Sequence, residues 1–217
     1  DGVNAADGTD GGPPRGGFGG GQPQGNGGQR GPRPGRENVN YAGNLYLYIN
    51  GGYLVVDTGG DGIDANGAIE MSGGVVIVNG PTMRMNSALD YDGFFKMTGG
   101  FVVAAGSSGM AQAPGSLSTQ NAVLIYFDTT QPAGTLVHLQ TDAGEELLTF
   151  APTKAYQSLA LSSPNLVKGA TYELYVGGSA TGESKDGLYQ AGSYSGGTLF
   201  TTFTIADLVT VIGTGGR

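Results

Sequence analysis

The sequence contains no cysteine, which excludes both disulfide bonds and thiolate metal sites. It also has no run of about 18 apolar residues, so no segment is long enough to span a membrane as a helix. Charged residues make up only 13% of the chain, and its 18 acids outnumber its 10 bases. That balance argues against nucleic acid as a partner. No signal peptide is visible, and we expect the chain to be a mature piece whose beginning lies elsewhere.

Glycine, by contrast, is abundant, with 43 of 217 residues and no collagen-like triplet period. It marks an internal repeat: double glycines end the segments YINGG at 48–52, EMSGG at 70–74 and KMTGG at 96–100, spaced 22 and 26 residues apart. An alternating apolar run precedes each pair, and a short apolar run follows it. Three short β runs per repeat, separated by glycine turns, are typical of a parallel β-helix. A β-sandwich would also have short strands, but not this in-register recurrence.

We therefore predict an all-β fold with parallel β-helix coils over 1–115 and a small antiparallel β domain over 116–217. Six apolar runs separated by turn signals indicate that second domain, which is well placed to cap the coils and block edge-to-edge growth. A separate binding module is the alternative interpretation. The repeat also predicts three inward columns of side chains: Leu47–Ile69–Phe95, Ile49–Met71–Met97 and Val3–Ile63–Leu89.

An insertion at about 9–40 interrupts the first coil. Within it, residues 11–36 hold 12 glycines, 5 prolines and 4 arginines and almost no apolar side chains. Such a segment cannot bury enough apolar surface to fold alone, which predicts a long flexible insertion. A tolerated loop is one interpretation, and an arginine-bearing arm that contacts an acidic partner is the other.

Acidic and amide side chains form an outward column in this arrangement. With Ile63 and Leu89 inward, strand alternation turns the residues beside them outward. The candidate ligands are Asp64, Asp90, Asp92, Asn66, Asn4 and Asp61. Carboxylates on neighbouring coils, about 4.8 Å apart, repel by about 3 kcal/mol at an effective dielectric of 20. A hard cation would relieve that repulsion, and Ca²⁺ accepts irregular oxygen sites. The alternative is that Asp and Asn are there because tight turns favour them.

Aromatic side chains offer a second binding feature. Tyr46 and Phe94 occupy equivalent outward positions, and Tyr91 lies nearby. Such rings either stack on sugars or pack under the insertion or another covering segment. Arg84 lies in the four-residue extension of one turn, from which it could reach a ligand.

The chain resembles the carbohydrate-binding-domain family of secreted Gram-positive proteins, which is similar to pectate-lyase-like right-handed β-helix proteins. The resemblance rests on DGIDANG, MSGGVVIVNGPT, ALDYDG and AAGSSGMAQAP, and later on TFAPTKAYQSLALSSPNL and DGLYQAGSYSGG. It covers most of 40–205. It implies a right-handed helix, bound calcium, secretion or display at the cell surface, and binding of plant-type polysaccharides such as cellulose or pectic acid.

Lyase chemistry needs a base beside the calcium, and the coils offer only Arg84 and Lys96. Lys96 lies one coil from Glu70 in the same outward column, which predicts an ion pair instead. His138, the one histidine, lies in a strand far along the sequence from the acids, where a structural role fits.

We accordingly expect a calcium-dependent, non-catalytic polysaccharide-binding protein. A surface or fibre-forming structural protein is the alternative, since the open coil end can pair with another copy or with missing N-terminal coils. A polysaccharide lyase is the second alternative.

Overall fold

The computed structural model describes residues 1–6 and 37–215, and these residues form strands joined by turns and loops. The predicted insertion lies outside the described residues except for its last few positions. The strands are β1 (Val3–Ala5), β2 (Tyr46–Asp57), β3 (Ile63–Ala65), β4 (Ala68–Asn79), β5 (Leu89–Tyr91), β6 (Phe95–Met97), β7 (Phe101–Gly106), β8 (Ala122–Gln131), β9 (Val137–Thr141), β10 (Glu146–Phe150), β11 (Tyr156–Ser162), β12 (Thr171–Val176), β13 (Ser179–Ala180), β14 (Glu183–Lys185), β15 (Leu188–Gln190), β16 (Tyr194–Ser195), β17 (Thr198–Thr204) and β18 (Val209–Ile212). The predicted all-β class is confirmed.

Strands from successive repeats pair in parallel. β1, β3 and β5 form one three-stranded parallel sheet. In a second sheet, β4 pairs in parallel with β2 on one side and with β6 and β7 on the other. The registers are those that the repeat predicts: each of the three predicted columns consists of residues directly opposite one another. Most members of the columns are buried. A hydrophobic repeat thus fixed both the register and the buried face.

Glycine permits bends inside the long strands β2 and β4 and between β6 and β7. Gly52, Gly74 and Gly100 have φ values of +87°, +93° and +92°, a region that residues with a Cβ atom rarely adopt. A Cβ atom at Gly74 would also lie 2.7 Å from the carbonyl carbon of Gly51 in the neighbouring strand. The double glycines therefore allow the chain to turn while the backbones of neighbouring strands stay close.

All six apolar runs predicted in the second half form strands, namely β8 to β12 and β17. Strands β14, β15, β10, β9, β12 and β17 lie in that order in an antiparallel outer sheet. β8 and β11 instead join the central sheet, whose order is β18-β8-β11-β7-β4-β2 with β6 beside β4. This central sheet is mixed, since β11 pairs antiparallel with β7 and β8, whereas β18 pairs parallel with β8.

The central sheet is covered on both faces along the second half of β4 and along β7 and β11, whereas the outward face of β2 and of the first half of β4 is largely exposed. Alternate residues such as Val76 and Val78 face the core shared with β1, β3 and β5. The intervening Ile77 faces a second core, to which the outer sheet contributes Leu139 and Leu174. Burial on both faces explains why the second half of β4 and β7 are so continuously apolar. The central sheet contains strands from both predicted segments, because β7 lies before residue 115 and β11 after it.

Two further expectations concern single side chains. Lys96 Nζ lies 4.0 Å from Glu70 Oε2, so the predicted ion pair is confirmed. His138 is buried in β9, where Nδ1 lies 2.7 Å from Thr149 Oγ1 and Nε2 lies 3.1 Å from Gln140 Oε1.

Within the described ranges, no helix has the length and apolarity needed to cross a membrane.

Candidate functional site

The predicted outward column is present on the three-stranded sheet. Asn4, Asp64 and Asp90 lie opposite one another on β1, β3 and β5. Their neighbours Ile63 and Leu89 are fully buried, whereas the three polar side chains retain contact with solvent. Short strands with strict alternation thus bring one amide and two carboxylates into a single row.

Hydrogen bonds connect this row to the start of the chain. Asn4 Nδ2 donates to Asp64 Oδ2 at 3.1 Å and to Asp1 Oδ2 at 3.2 Å. The backbone N–H of Asp61 donates to Asp1 Oδ1 at 3.2 Å. Carboxylate oxygens of Asp1, Asp61 and Asp64 all lie within 4.8 Å of one another. Three carboxylates at this spacing could hold one hard cation.

Asp1 was missed in the candidate list, although the signal was available. The repeat aligns Gly2 with Gly62, which places Asp1 beside Asp61. Asp61 itself is held from the opposite side, since its Oδ1 accepts a hydrogen bond of 2.5 Å from the backbone N–H of Ser87. The three close carboxylates therefore come from the first residue, from the turn before β3 and from β3 itself.

Asp90 lies outside this group of three but responds to it electrostatically. Burial, followed by the negative charges of Asp61, Asp64 and Asp92, raises the pKa of Asp90 to about 6. The raised value means that this surface disfavours a further negative charge. A bound cation would reverse that preference, because an opposite charge nearby favours the ionised form.

Asp92 and Asn66 follow the ends of β5 and β3, where strand alternation no longer fixes side-chain direction. Their backbone N–H groups donate to Ala65 and Ala5 across the sheet, at 3.0 and 3.1 Å. Asp92 is exposed and Asn66 is half-buried. Both are near the row in sequence, and Asp92 is not part of the group formed by Asp1, Asp61 and Asp64.

The raised pKa predicts a pH-dependent penalty in calcium-free buffer. Because the folded-state pKa exceeds the unfolded value of about 3.9, stability falls as pH rises from about 4 through 6. Asp90→Asn should therefore stabilise the protein at pH 7.5 by about 1–2 kcal/mol after allowance for solvent screening, and hardly at all at pH 4. Urea unfolding at both pH values measures this. An equal effect at both pH values would show that the charge of Asp90 is not responsible.

The predicted aromatic site needs correction. Tyr91 is 1% exposed and donates its hydroxyl to Ala113 O at 2.8 Å, so its ring is unavailable to a ligand. Its register explains this: Tyr91 lies two residues beyond the inward Leu89 and opposite buried Ala65. Phe94 does occupy the outward position, but it is only 7% exposed. A ring that is already covered cannot stack on a sugar.

The cover over Phe94 comes from residues 37–45, here called the covering segment. The backbone N–H of Asn38 donates to Gly93 O at 2.8 Å, and Leu45 N donates to the hydroxyl of Tyr41 at 3.2 Å. The ring of Tyr41 lies 5.7 Å from that of Tyr46, which in turn lies 6.3 Å from Phe94. Packing under a covering segment, the alternative considered for these rings, is what Phe94 adopts.

Tyr46 is half-buried and leads to an aromatic residue that the repeat analysis missed. Tyr48 stacks on it with ring centroids 5.6 Å apart and planes 10° apart, and Tyr48 is 59% exposed. Alternation along β2 predicts this, since positions 46 and 48 share a face. The exposed aromatic surface therefore lies at Tyr48 rather than at Tyr91 or Phe94.

Arg84 lies in an exposed loop between β4 and β5, flanked by exposed Met83 and Met85. Its backbone contacts Gly109. The loop that carries Arg84 leads directly into Ser87, which donates to Asp61 of the close carboxylate group, whereas the aromatic residues of β2 lie on the central sheet.

Protein-family models, curated proteins and solved structures were compared with this chain, and none matches it. The resemblance noted in the sequence therefore stays a prediction. The function proposed next is argued from the residues and their geometry.

Proposed function

We propose that this protein is a non-catalytic, calcium-dependent binder of extracellular polysaccharide of the cellulose or pectin type, acting as a secreted or cell-surface protein. The observation that carries the proposal is the polar row of Asn4, Asp64 and Asp90, with Asp1 and Asp61 beside it. Its calcium would order this face rather than take part in a reaction.

The fold proposed with this function is a right-handed parallel β-helix for residues 1–115, capped by the antiparallel strands that follow. Three features support it: parallel pairing between successive repeats, in-register buried columns, and bends at left-handed glycines. A solenoid of this kind presents the same outward position on every coil. That property suits recognition of a polymer, which also repeats.

Calcium is the cation that best fits the chemistry of the row. All candidate ligands are oxygens, the side chains differ in exposure, and several come from turns, an irregular set that Ca²⁺ accepts more readily than Mg²⁺ does. Burial and, after it, the negative charges of Asp61, Asp64 and Asp92 raise the pKa of Asp90, and two positive charges nearby would favour its ionised form. Asn4 Nδ2 donates hydrogen bonds to both Asp1 and Asp64. When an ion binds, rotation of the amide would bring its oxygen, which is a possible ligand, to face the ion.

Sugar recognition would rely on Tyr46 and Tyr48. An aromatic ring supplies a flat apolar surface of the kind that pyranose faces can cover. Tyr48 lies on the outward surface of β2, and the polar row lies on a neighbouring sheet. A cation at the row would hold the turns between these sheets in order.

Pelleting with insoluble cellulose in calcium buffer tests the assignment. We expect wild-type protein in the pellet, and Asp64→Ala and Asp90→Ala should each reduce the bound fraction because the cation site is weakened. Asp207→Ala is the matched control, since Asp207 is exposed and distant in sequence. Equal binding by all four proteins would remove the calcium site from the function. Incubation with polygalacturonate, followed by absorbance of unsaturated product, separates binding from lyase activity.

A fibre-forming surface protein is the second candidate, and one observation favours it. Among the strands that the structure describes, β2 lies at the edge of the central sheet, and residues 46–56 carry no charge and no proline. Edges without charge or proline are open to pairing with another chain. Filaments in the electron microscope, with protein left in the supernatant of every polymer tested, would favour this candidate over polysaccharide binding.

A further inference from the structure

A shallow groove lies across the outward face of β2, β4 and β6. Its volume is about 60 Å³, and its lining includes Tyr48, Asn50, Glu70, Ser72 and Lys96. Neighbouring strands about 4.8 Å apart give the groove a length of about 10 Å across the three strands. The groove is therefore a surface feature that runs across the three strands.

Two rows of side chains line this groove. Tyr48, Glu70 and Lys96 lie opposite one another on the three strands. Beside them Ser72 Oγ donates to Asn50 Oδ1 at 2.9 Å, which leaves the Nδ2 group of Asn50 as a donor. An apolar ring at one end and small hydrogen-bonding groups along one side match the two kinds of surface on a pyranose: flat C–H faces and equatorial hydroxyls.

Tyr48 is held in place before any ligand arrives. Its ring stacks on Tyr46, and Tyr46 is fixed in turn by edge contacts with Tyr41 and Phe94. A side chain that is already ordered loses little conformational entropy on binding. An exposed aromatic residue with this support is suited to act as a binding platform.

The charges indicate an uncharged sugar. Lys96 pairs with Glu70 within one of the two rows, so the formal charges of the lining cancel. The whole chain carries a net charge of −8, which repels a polyanion. Lys96, the cation of the lining, is already paired with Glu70, so it is not available to neutralise a uronate.

We infer that this groove is a binding site for an uncharged pyranose polymer of the β-glucan class, with Tyr48 as its stacking platform. The inference rests on the proposed function and narrows its substrate class from cellulose or pectin to the neutral one. Cellohexaose is the probe that tests it, and an oligogalacturonate of equal length is the charged comparison.

Calorimetric titration of both sugars into wild-type and variant protein, in calcium buffer, decides the matter. Tyr48→Ala should weaken cellohexaose binding about tenfold or more, and Tyr48→Phe should keep it within about threefold, because the stacking face remains. The control is Tyr53→Ala, which changes an exposed tyrosine of β2 beyond the Gly51–Gly52 bend. Unchanged melting curves establish that each variant is folded.

The outcomes separate this inference from the function beneath it. Unchanged affinity in Tyr48→Ala, or tighter binding of oligogalacturonate than of cellohexaose, overturns the groove assignment and leaves polysaccharide binding intact. Wild-type protein that binds neither sugar and no insoluble polymer overturns both.

Discussion

Calcium at one hundred times its dissociation constant is expected to stabilise the folded protein by about 2.7 kcal/mol, since a ligand that binds only the folded state shifts the unfolding equilibrium. For a chain of this length, that corresponds to a rise in melting temperature of about 5–10 °C. The physical source is the close group of Asp1, Asp61 and Asp64, whose negative charges the ion would offset. Thermal unfolding followed by circular dichroism, in calcium and in excess chelator, measures the shift.

Two controls define this result. Asp64→Ala should flatten the calcium response, because Asp64 contributes to the close carboxylate group and to the row on the strands. Asp207→Ala should leave it unchanged. Identical melting curves of the wild-type protein in calcium and chelator, with no metal found by elemental analysis, would contradict a calcium site.

Gly74→Ala is expected to destabilise the protein by about 2–4 kcal/mol, of which about 1–2 reflect a left-handed backbone and the remainder a steric clash. The φ value of Gly74 is +93°, and a Cβ atom there would lie 2.7 Å from the carbonyl carbon of Gly51. The neighbouring backbone must move or the bend must open. Urea unfolding gives the difference in free energy.

Gly51→Ala provides the matched comparison for this change. Gly51 belongs to the equivalent pair one repeat earlier, and a Cβ atom there would meet nothing within 4 Å. We expect its effect to stay below about 1 kcal/mol. A Gly74→Ala variant as stable as the wild type would mean that the bend does not require glycine, and that the stacked arrangement of β2 and β4 is wrong.

The first half of the fold was predictable because its information is local and repeated. Once Gly51, Gly73 and Gly99 are aligned, a period-two apolar pattern determines which residues lie opposite one another. The columns through Ile69 and Met71 follow directly. A repeat specifies strand partners without any knowledge of the remaining chain.

The second half carries no such information. Its six apolar runs were recognisable as strands, but partners such as β10 with β15 are joined by no repeat and no short hairpin. β11 joins β7 and so extends the central sheet from one half of the chain into the other. Apolar patterning gives the existence of these strands and leaves their pairing open.

The part of the candidate site that lies within the repeat was predictable, and the part outside the repeat was not. Asp64 and Asp90 were placed opposite each other by alternation, which the structure confirms. Phe94 was assigned correctly to the outward face, but its burial could not be foreseen, because the covering segment that pairs with Gly93 beside it lies outside the repeat. Tyr48 could have been predicted to lie on the outward face, because it is two residues after Tyr46 in the alternating pattern of β2.

The fraction of wild-type protein that pellets with cellulose, measured at saturating calcium and again in excess chelator, tests the proposed function most directly. Far-ultraviolet circular dichroism under both conditions confirms that the protein remains folded. We predict strong pelleting in calcium and a large loss in chelator, restored when calcium is added back. Equal pelleting under both conditions would contradict calcium dependence, and protein that stays in solution with every neutral and acidic polymer would contradict polysaccharide binding itself.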